Sequence, residues 1–343
     1  MAECPVPFVI FQSETIVVTP TMTIKWEIRM RAAVLTANGF NVQEVAELTI
    51  GAGEVLVKTL ACGVCSGDLF VYQHRADFAA TNSRLGHEAS GEVVAVADGV
   101  TNINSGDIVT ALAQPAYADY FVAAADCLVK LPSTIDPKYA LGEAVACCVH
   151  AANRFDIQPG DRVAVVGCGF MGLVCLQLAK YQAAGFICAI DPIVERRAKS
   201  QQFGADVTYD PGVSTGDDIL SEQGEFDVVI EAAGVQPALD LCTDLVTKHG
   251  RIILVGYHQS NNGLRTVNMQ AWNFKAIDVI NGHVRRRDEK VAAMQRGVAL
   301  MQEGHIVTEP LVTVYDFDDA ERAFSDLTKG DPNLFKAVLL MDR

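Results

Sequence analysis

The 343-residue chain has no uninterrupted apolar run near the ~20 residues that a membrane-spanning helix requires, although 50% of its residues are hydrophobic. Positive charge is also scarce. Lys and Arg number 27 against 42 Asp and Glu, a formal charge of -15, and Arg285-Arg286-Arg287 is too short a run to form a nucleic-acid surface. The N-terminus lacks the basic segment of a secretory signal and carries Glu3 early. Residues 1–29 read instead as an added arm, disordered or preceding a downstream start at Met30, and a cytoplasmic protein is expected. The ten cysteines have no regular spacing, so they do not describe a disulfide framework. Most are expected to be small core residues in a reducing compartment. Internal repeats and low-complexity tracts are missing too, which leaves a globular chain long enough for two cores.

What is present divides into two halves. From Met30 to about Pro132, short β-rich runs are separated by Gly, Asn and Asp turns: Ala32–Leu35, Val42–Leu48, Glu54–Leu60, Ser90–Val96, Asp107–Leu112 and Asp119–Val122. That pattern predicts a mainly antiparallel β domain over 30–150. A helix is expected from Pro137 through His150. Strands then alternate with helices, at Val163–Val166, Phe186–Ile190, Asp206–Thr208, Asp227–Glu231 and Arg251–Val255. This predicts a doubly wound parallel sheet over 151–285. The remaining segment, 286–343, carries helices over Glu289–Met301 and Asp318–Leu327 and a strand over Lys336–Met341, and is expected to return to the first domain.

The first of the parallel strands runs into Gly167-Cys168-Gly169-Phe170-Met171-Gly172, and helical spacing resumes at Leu173. A G-x-G-x-x-G between strand and helix is the arrangement a dinucleotide needs. Gly167 permits the tight turn, Gly169 lets a pyrophosphate approach the backbone, and Gly172 brings helix and strand close, while the helix N-terminus offers free N–H groups. Asp191, at the end of the next strand, is placed to accept from the adenosine ribose hydroxyls and to repel a 2′-phosphate, which favours NAD over NADP. Arg196 and Arg197 leave three readings open: solvated helix charges, a platform for adenine, or partners for a 2′-phosphate.

Ahead of that motif lie Gly63-Val64-Cys65-Ser66-Gly67-Asp68, Gly86-His87-Glu88-Ala89-Ser90-Gly91 and Gly142-Glu143-Ala144. A thiolate, an imidazole and carboxylates suit zinc, and ligands so widely spaced suggest an open catalytic site rather than a structural knuckle. Cys62 with Cys65 also forms a C-x-x-C, for which a redox pair or two core thiols are the alternatives. Together with the dinucleotide motif, these segments resemble the zinc-dependent medium-chain alcohol and polyol dehydrogenases from about Met30 to the C-terminus. The resemblance implies a GroES-like catalytic domain and a Rossmann nucleotide-binding domain. It implies one catalytic Zn²⁺ held by Cys65, His87 and Glu143, with Glu88 binding directly or standing behind, and Asp68 steadying the imidazole. In the sorbitol dehydrogenase branch the third position reads Glu-Pro; here Ala144 replaces the proline. Cys147 and Cys148 are alternative third ligands should Glu143 not serve, although on a helix entering the core they are expected to be packing residues. Cofactor contacts are implied at Gly167, Gly169, Phe170, Met171, Gly172, Asp191, Arg196 and, after a strand beside the nicotinamide, Gly256.

Two departures from the family stand out. The stretch from Gly106 to Phe121 contains no cysteine, so the four-cysteine lobe for a second, structural zinc is missing. The position of a relay hydroxyl holds Gly67 and that of a relay histidine holds Phe70, so a proton would have to leave through Glu88, Glu143, Tyr72, His74 or water. Tyr257-His258-Gln259 and Ala271-Trp272-Asn273-Phe274-Lys275 resemble a subgroup without that lobe. The implied activity is reversible oxidation of a secondary alcohol, on a polyol, sugar or cyclitol, with hydride passing to NAD in a homodimer or homotetramer. The alternatives are a zinc-free NADPH-dependent quinone or enone reductase and an inactive nucleotide-binding protein of the same fold.

Overall fold

The computed structural model describes residues 30–46, 48–78 and 83–341, together with the backbone of three short strands before them. Two compact units are formed, Met1–Glu143 with Val312–Gly330 and Lys336–Arg343, and Ala144–Leu311 with Asp331–Phe335. The boundary therefore falls at Glu143, and the helical segment after residue 286 goes with the second unit as far as Leu311.

In the first unit the arm contributes β1 (Ile10–Phe11), β2 (Glu14–Val18) and β3 (Ile24–Trp26), and the other residues of 1–29 lie outside those described. There follow β4 (Met30–Thr36), β5 (Gly39–Val45), β6 (Thr49–Ile50), β7 (Glu54–Gly63), α1 (Ser66–Gln73), α2 (Arg75–Phe78), β8 (Ser83–Arg84), β9 (Glu88–Val96), β10 (Ile108–Ala111), β11 (Tyr120–Ala124) and β12 (Leu128–Lys130). The returning chain adds β19 (Val312–Asp316), α10 (Ala320–Lys329) and β20 (Lys336–Leu340). The principal sheet has the order β12-β10-β9-β7-β20-β19, with β11 also on β7. Strand β7 is the organiser, because its last residue, Gly63, pairs with Glu88 of β9 on one side and Val338 of β20 on the other. A Cβ on Gly63 would stand 2.2 Å from Glu88 Oε2 and 2.7 Å from Leu141. Only glycine lets the Glu88 carboxylate pass there.

The helix expected from Pro137 is broken. Pro137–Tyr139 is a 3₁₀ turn, and α3 runs from Gly142 to Ala152. Ala140 and Leu141 are buried at the break, and Gly142 lies so close to Thr110 that a Cβ would meet its side chain at 2.5 Å. The burial of these residues against β10 overrides helical continuity.

The second unit contains β13 (Arg162–Val166), α4 (Phe170–Tyr181), β14 (Phe186–Ile190), α5 (Val194–Gln202), β15 (Val207–Tyr209), α6 (Gly216–Gln223), β16 (Phe226–Glu231), α7 (Gln236–Leu245), β17 (Val246–Leu254), α8 (Met269–Lys275), β18 (Asp278–Asn281) and α9 (Arg287–Gln302). All sheet pairings are parallel, in the order β15-β14-β13-β16-β17-β18. The chain steps outward from β13 to β15 and then crosses to β16, so the order reverses beside β13. Ligands of open α/β sheets bind at the carboxyl ends of strands at such a point. Continuous apolar runs such as Val163–Val166 are buried on both faces, as helices covering a parallel sheet demand. Strand β18, half-exposed at the sheet edge, escaped the sequence pattern because it lacks such a run. No helix among the described residues is long and apolar enough to cross a membrane.

Candidate metal centre and nucleotide site

The first unit brings Cys65, His87 and Glu88 together, with one ligand atom from each within 4.8 Å of the others. Cys65 is the N-cap of α1, and its Sγ accepts from the Gly67 N–H at 3.4 Å. One turn into that helix, Asp68 presents Oδ1 at 3.5 Å from His87 Nδ1, and Oδ2 accepts from the Tyr117 hydroxyl at 2.7 Å. With Nδ1 turned to the carboxylate, Nε2 is the nitrogen left for a metal. Burial disfavours the His87 imidazolium, yet the hydrogen bonds to Asp68 and Cys65 outweigh it and raise the pKa to about 11. A metal would take the place of that proton.

Zinc bonds of roughly 2.0–2.3 Å set ligand atoms about 3–4 Å apart around a tetrahedral ion. The cluster is therefore within small side-chain adjustments of a zinc geometry, and its S, N and O donors are those zinc takes. Glu143 is buried but stands outside the cluster. It is near enough to Lys336 for its charge to help raise that lysine's pKa.

Lys336 was not singled out by its sequence surroundings. Its Nζ lies 2.6 Å from both carboxylate oxygens of Glu88, and both residues are buried. Burial works against the ammonium, but Glu88, Cys65 and Glu143 together hold its pKa above the ordinary lysine value. The pair is separated by 248 residues and is created by the β9-β7-β20 register. Tyr117 was missed for the same reason, since its partners Asp68 and Gly63 are distant in sequence.

The expected proton routes fare unequally. The Tyr72 hydroxyl donates to Glu321 at 2.5 Å and its ring packs on Phe40 and Phe324, which ties α1 to α10. Burial and Glu321 push its pKa up to about 12. His74 caps α1 with its Nδ1 2.9 Å from the Phe70 carbonyl oxygen and its ring against Phe70. Beside Gly67, by contrast, an added Cβ would meet only Cys65 Sγ, at 3.8 Å. Cys62 is wholly buried, and that burial drives its pKa well up, so it behaves as a core thiol.

In the second unit Gly167 has φ +97°, and its Cβ would strike Ala233 N at 2.6 Å. The Gly172 Cβ would fall 1.9 Å from the Gly167 carbonyl oxygen, whereas Gly169, the N-cap of α4, has nothing within 4 Å. The three glycines therefore serve a turn, an open approach and a close contact. Phe170 and Met171 begin the helix; Phe170 is buried, and Met171 Sδ lies 3.6 Å from Cys148 Sγ, so both would reach a phosphate through backbone N–H groups. Asp191 is buried, with Oδ2 accepting from Cys168 N–H and Oδ1 from Ile193 N–H, both at 2.8 Å. The carboxylate thus braces the glycine loop and retains lone pairs for a further donor. Arg196 Nη1 lies 3.8 Å from Asp191, while Arg197 bonds the Asp191 carbonyl oxygen and Asp210. Gly256 packs its backbone against Gly234. Trp272 donates to Thr243 and so belongs to the packing of α8.

Two family models match these units: the alcohol dehydrogenase GroES-like domain over residues 51–133 and the zinc-binding dehydrogenase over residues 171–299. The chain belongs to the alcohol dehydrogenase-like medium-chain dehydrogenase/reductases. Sorbitol dehydrogenase of Halalkalibacterium halodurans is 29% identical over 340 residues, covering 88% of this chain and 97% of the relative. L-threonine 3-dehydrogenase of Pyrococcus furiosus is 29% identical over 321 residues, covering 82% and 89%. Among solved structures, 2R,3R-butanediol dehydrogenase of Bacillus subtilis superposes with a TM-score of 0.78 at 25% identity, covering 91% of this chain and 100% of that one. The GroES-like and Rossmann-type expectations agree with these matches. In this medium-chain member β10 leads to β11 through the cis Gln114-Pro115 bond, without the cysteine lobe.

Proposed function

We propose that this medium-chain dehydrogenase/reductase is an NAD-linked enzyme that oxidises a secondary alcohol to a ketone, with a polyol, sugar or cyclitol as substrate. The observation that carries the reading is the Cys65–His87–Glu88 cluster backed by Asp68 and Tyr117. Cys65 and His87 would hold a zinc ion, with Glu88 or Glu143 as the carboxylate ligand. When bound, zinc supplies a Lewis acid that lowers the pKa of an alcohol and favours its hydride donation. Asp68 fixes the His87 ring by accepting at Nδ1, and Tyr117 fixes Asp68. Lys336 holds the Glu88 carboxylate in place through its ammonium. The N–H groups at the start of α4 would hold the pyrophosphate, and Asp191 would accept from the ribose hydroxyls, which disfavours NADP. The relatives' names support the substrate class, since sorbitol, threonine and butanediol all carry secondary hydroxyls. The same reading includes a homodimer or homotetramer.

The test is metal analysis of the purified protein together with NAD reduction on a polyol and cyclitol panel before and after chelation. One zinc per chain and chelator-sensitive NADH formation are expected, both lost in Cys65→Ser. Zinc-independent NADPH oxidation with quinones or enones would overturn the reading.

A further inference from the structure

Glu231 ends β16 with its side chain wholly buried. Its Oε1 accepts from Ala233 N–H at 3.0 Å and Gly234 N–H at 2.6 Å, and its Oε2 faces His258 Nε2 at 3.0 Å. That last approach lacks the alignment of a full hydrogen bond. On the other side of the ring, Arg265 Nε donates to His258 Nδ1 at 2.9 Å. A guanidinium has no acceptor, so Nδ1 must carry the lone pair, and the ring proton of the neutral imidazole sits on Nε2, toward Glu231. Arg265 Nη2 also donates to the Gly234 carbonyl oxygen at 2.9 Å and to Ser260 Oγ, while Nη1 bonds the Ser260 and Leu264 carbonyl oxygens.

These bonds converge on the turn Ala232–Gly234, which has no slack. Ala232 N–H donates to the Val166 carbonyl oxygen at 2.8 Å, and Ala233 N lies against Gly167. On the far side, a Cβ on Gly234 would meet Tyr257 O at 2.8 Å, and one on Gly256 would meet Gly234 N at 2.3 Å. The turn is wedged between the glycine-rich loop and the segment that carries His258. The adenosine end belongs to Asp191, after β14, and the pyrophosphate to Gly167–Gly172, after β13. A dinucleotide lying across the switch point therefore extends its nicotinamide half over the ends of β16 and β17.

We propose that Glu231, His258 and Arg265 form a positioning clamp that shapes the floor under the nicotinamide half of the cofactor and leaves the adenosine half untouched. The inference rests on the dinucleotide part of the proposed function, and His258 acts through the turn that it fixes.

The test compares NADH with ADP-ribose, which lacks the nicotinamide, on the full-length protein, using NADH fluorescence and titration calorimetry. His258→Ala is expected to weaken NADH about tenfold and ADP-ribose by less than about twofold. His258→Gln, whose amide oxygen can accept from Arg265 and whose NH₂ can donate to Glu231, is expected to restore NADH affinity to within about threefold of the original. If His258→Ala does not fold, Arg265→Lys makes the same comparison, because it keeps the charge and loses the Nε donation. Equal weakening of both ligands, unchanged NADH binding in His258→Ala, or no rescue by glutamine would overturn the clamp. Failure of the unsubstituted protein to bind either ligand would overturn the dinucleotide reading, and the clamp with it.

Discussion

A methyl group placed on Gly169 meets no heavy atom within 4 Å, and the backbone angles there, φ -71° and ψ -171°, are open to any L-residue. Gly169→Ala therefore changes the space above the helix more than the fold. At an N-cap, alanine is poorer than glycine by about 1 kcal/mol. Stiffening of the unfolded chain offsets roughly 0.4–1 kcal/mol of this. The net change should lie within about 1 kcal/mol, a Tm shift of about 2–4 °C at most. Binding should respond differently, because the methyl would occupy the open space above the first-turn N–H groups, where the pyrophosphate is proposed to approach. Losing one or two charge-assisted hydrogen bonds at about 1.5–3 kcal/mol each gives roughly 3 kcal/mol, or about 100-fold in Kd. Gly172→Ala is the contrast: its Cβ would lie 1.9 Å from a backbone oxygen, so folding and binding should fail together. Calorimetric titration with ADP-ribose beside thermal melting separates the two effects. Gly169→Ala that binds within about threefold of the original would refute the placement of the pyrophosphate, as would Gly169→Ala that unfolds while Gly172→Ala melts normally.

Lys336→Met should destabilise the protein by about 3 kcal/mol in urea unfolding by stranding the buried Glu88 carboxylate, and Lys336→Met with Glu88→Gln should recover most of that loss. Equal stability of the single and double variants would show that the pair is not coupled. Asp68→Asn keeps an acceptor for Tyr117 but weakens the hold on His87, so zinc affinity should fall about 10–100-fold in competition with a chromophoric chelator. Unchanged affinity would remove Asp68 from that role. Gly67→Ser should be tolerated within about 0.5 kcal/mol in thermal melting, since the space beside it is open; a loss above about 1.5 kcal/mol would show that it is not. Zinc in 100-fold excess over its Kd should stabilise the metal-free protein by about 2.7 kcal/mol, reversed by chelation, and a Tm indifferent to zinc would count against a native site.

Features carried by neighbouring residues were legible before the structure. The β13–glycine loop–α4 passage could be placed because a buried valine run, three glycines and a helical repeat are consecutive, and Asp191 follows at a strand end. Cys65, His87 and Asp68 were expected at the metal centre from the family resemblance that their segments carry together, not from any one motif alone. The end of β5 at Val45 and the break before α3 were not legible, because pairing with the first residue of β4 decides the one and burial beside β10 the other. The carboxylate beside Cys65 and His87 was not legible: the family resemblance pointed first to Glu143, whereas packing places Glu88 and not Glu143 in the cluster.

The sequence by itself determined the two-part architecture, the strand–glycine–helix motif and the chemical types at the candidate metal centre, because hydrophobic period, turn chemistry and ligand identity are local properties. The tertiary structure alone decided that Lys336 faces Glu88, that Tyr117 steadies Asp68, and that Glu231, His258 and Arg265 converge on one turn. Those contacts depend on strand register and loop packing between distant segments. A hydrogen bond needs its partners within about 3 Å, a condition that no spacing along the chain can specify.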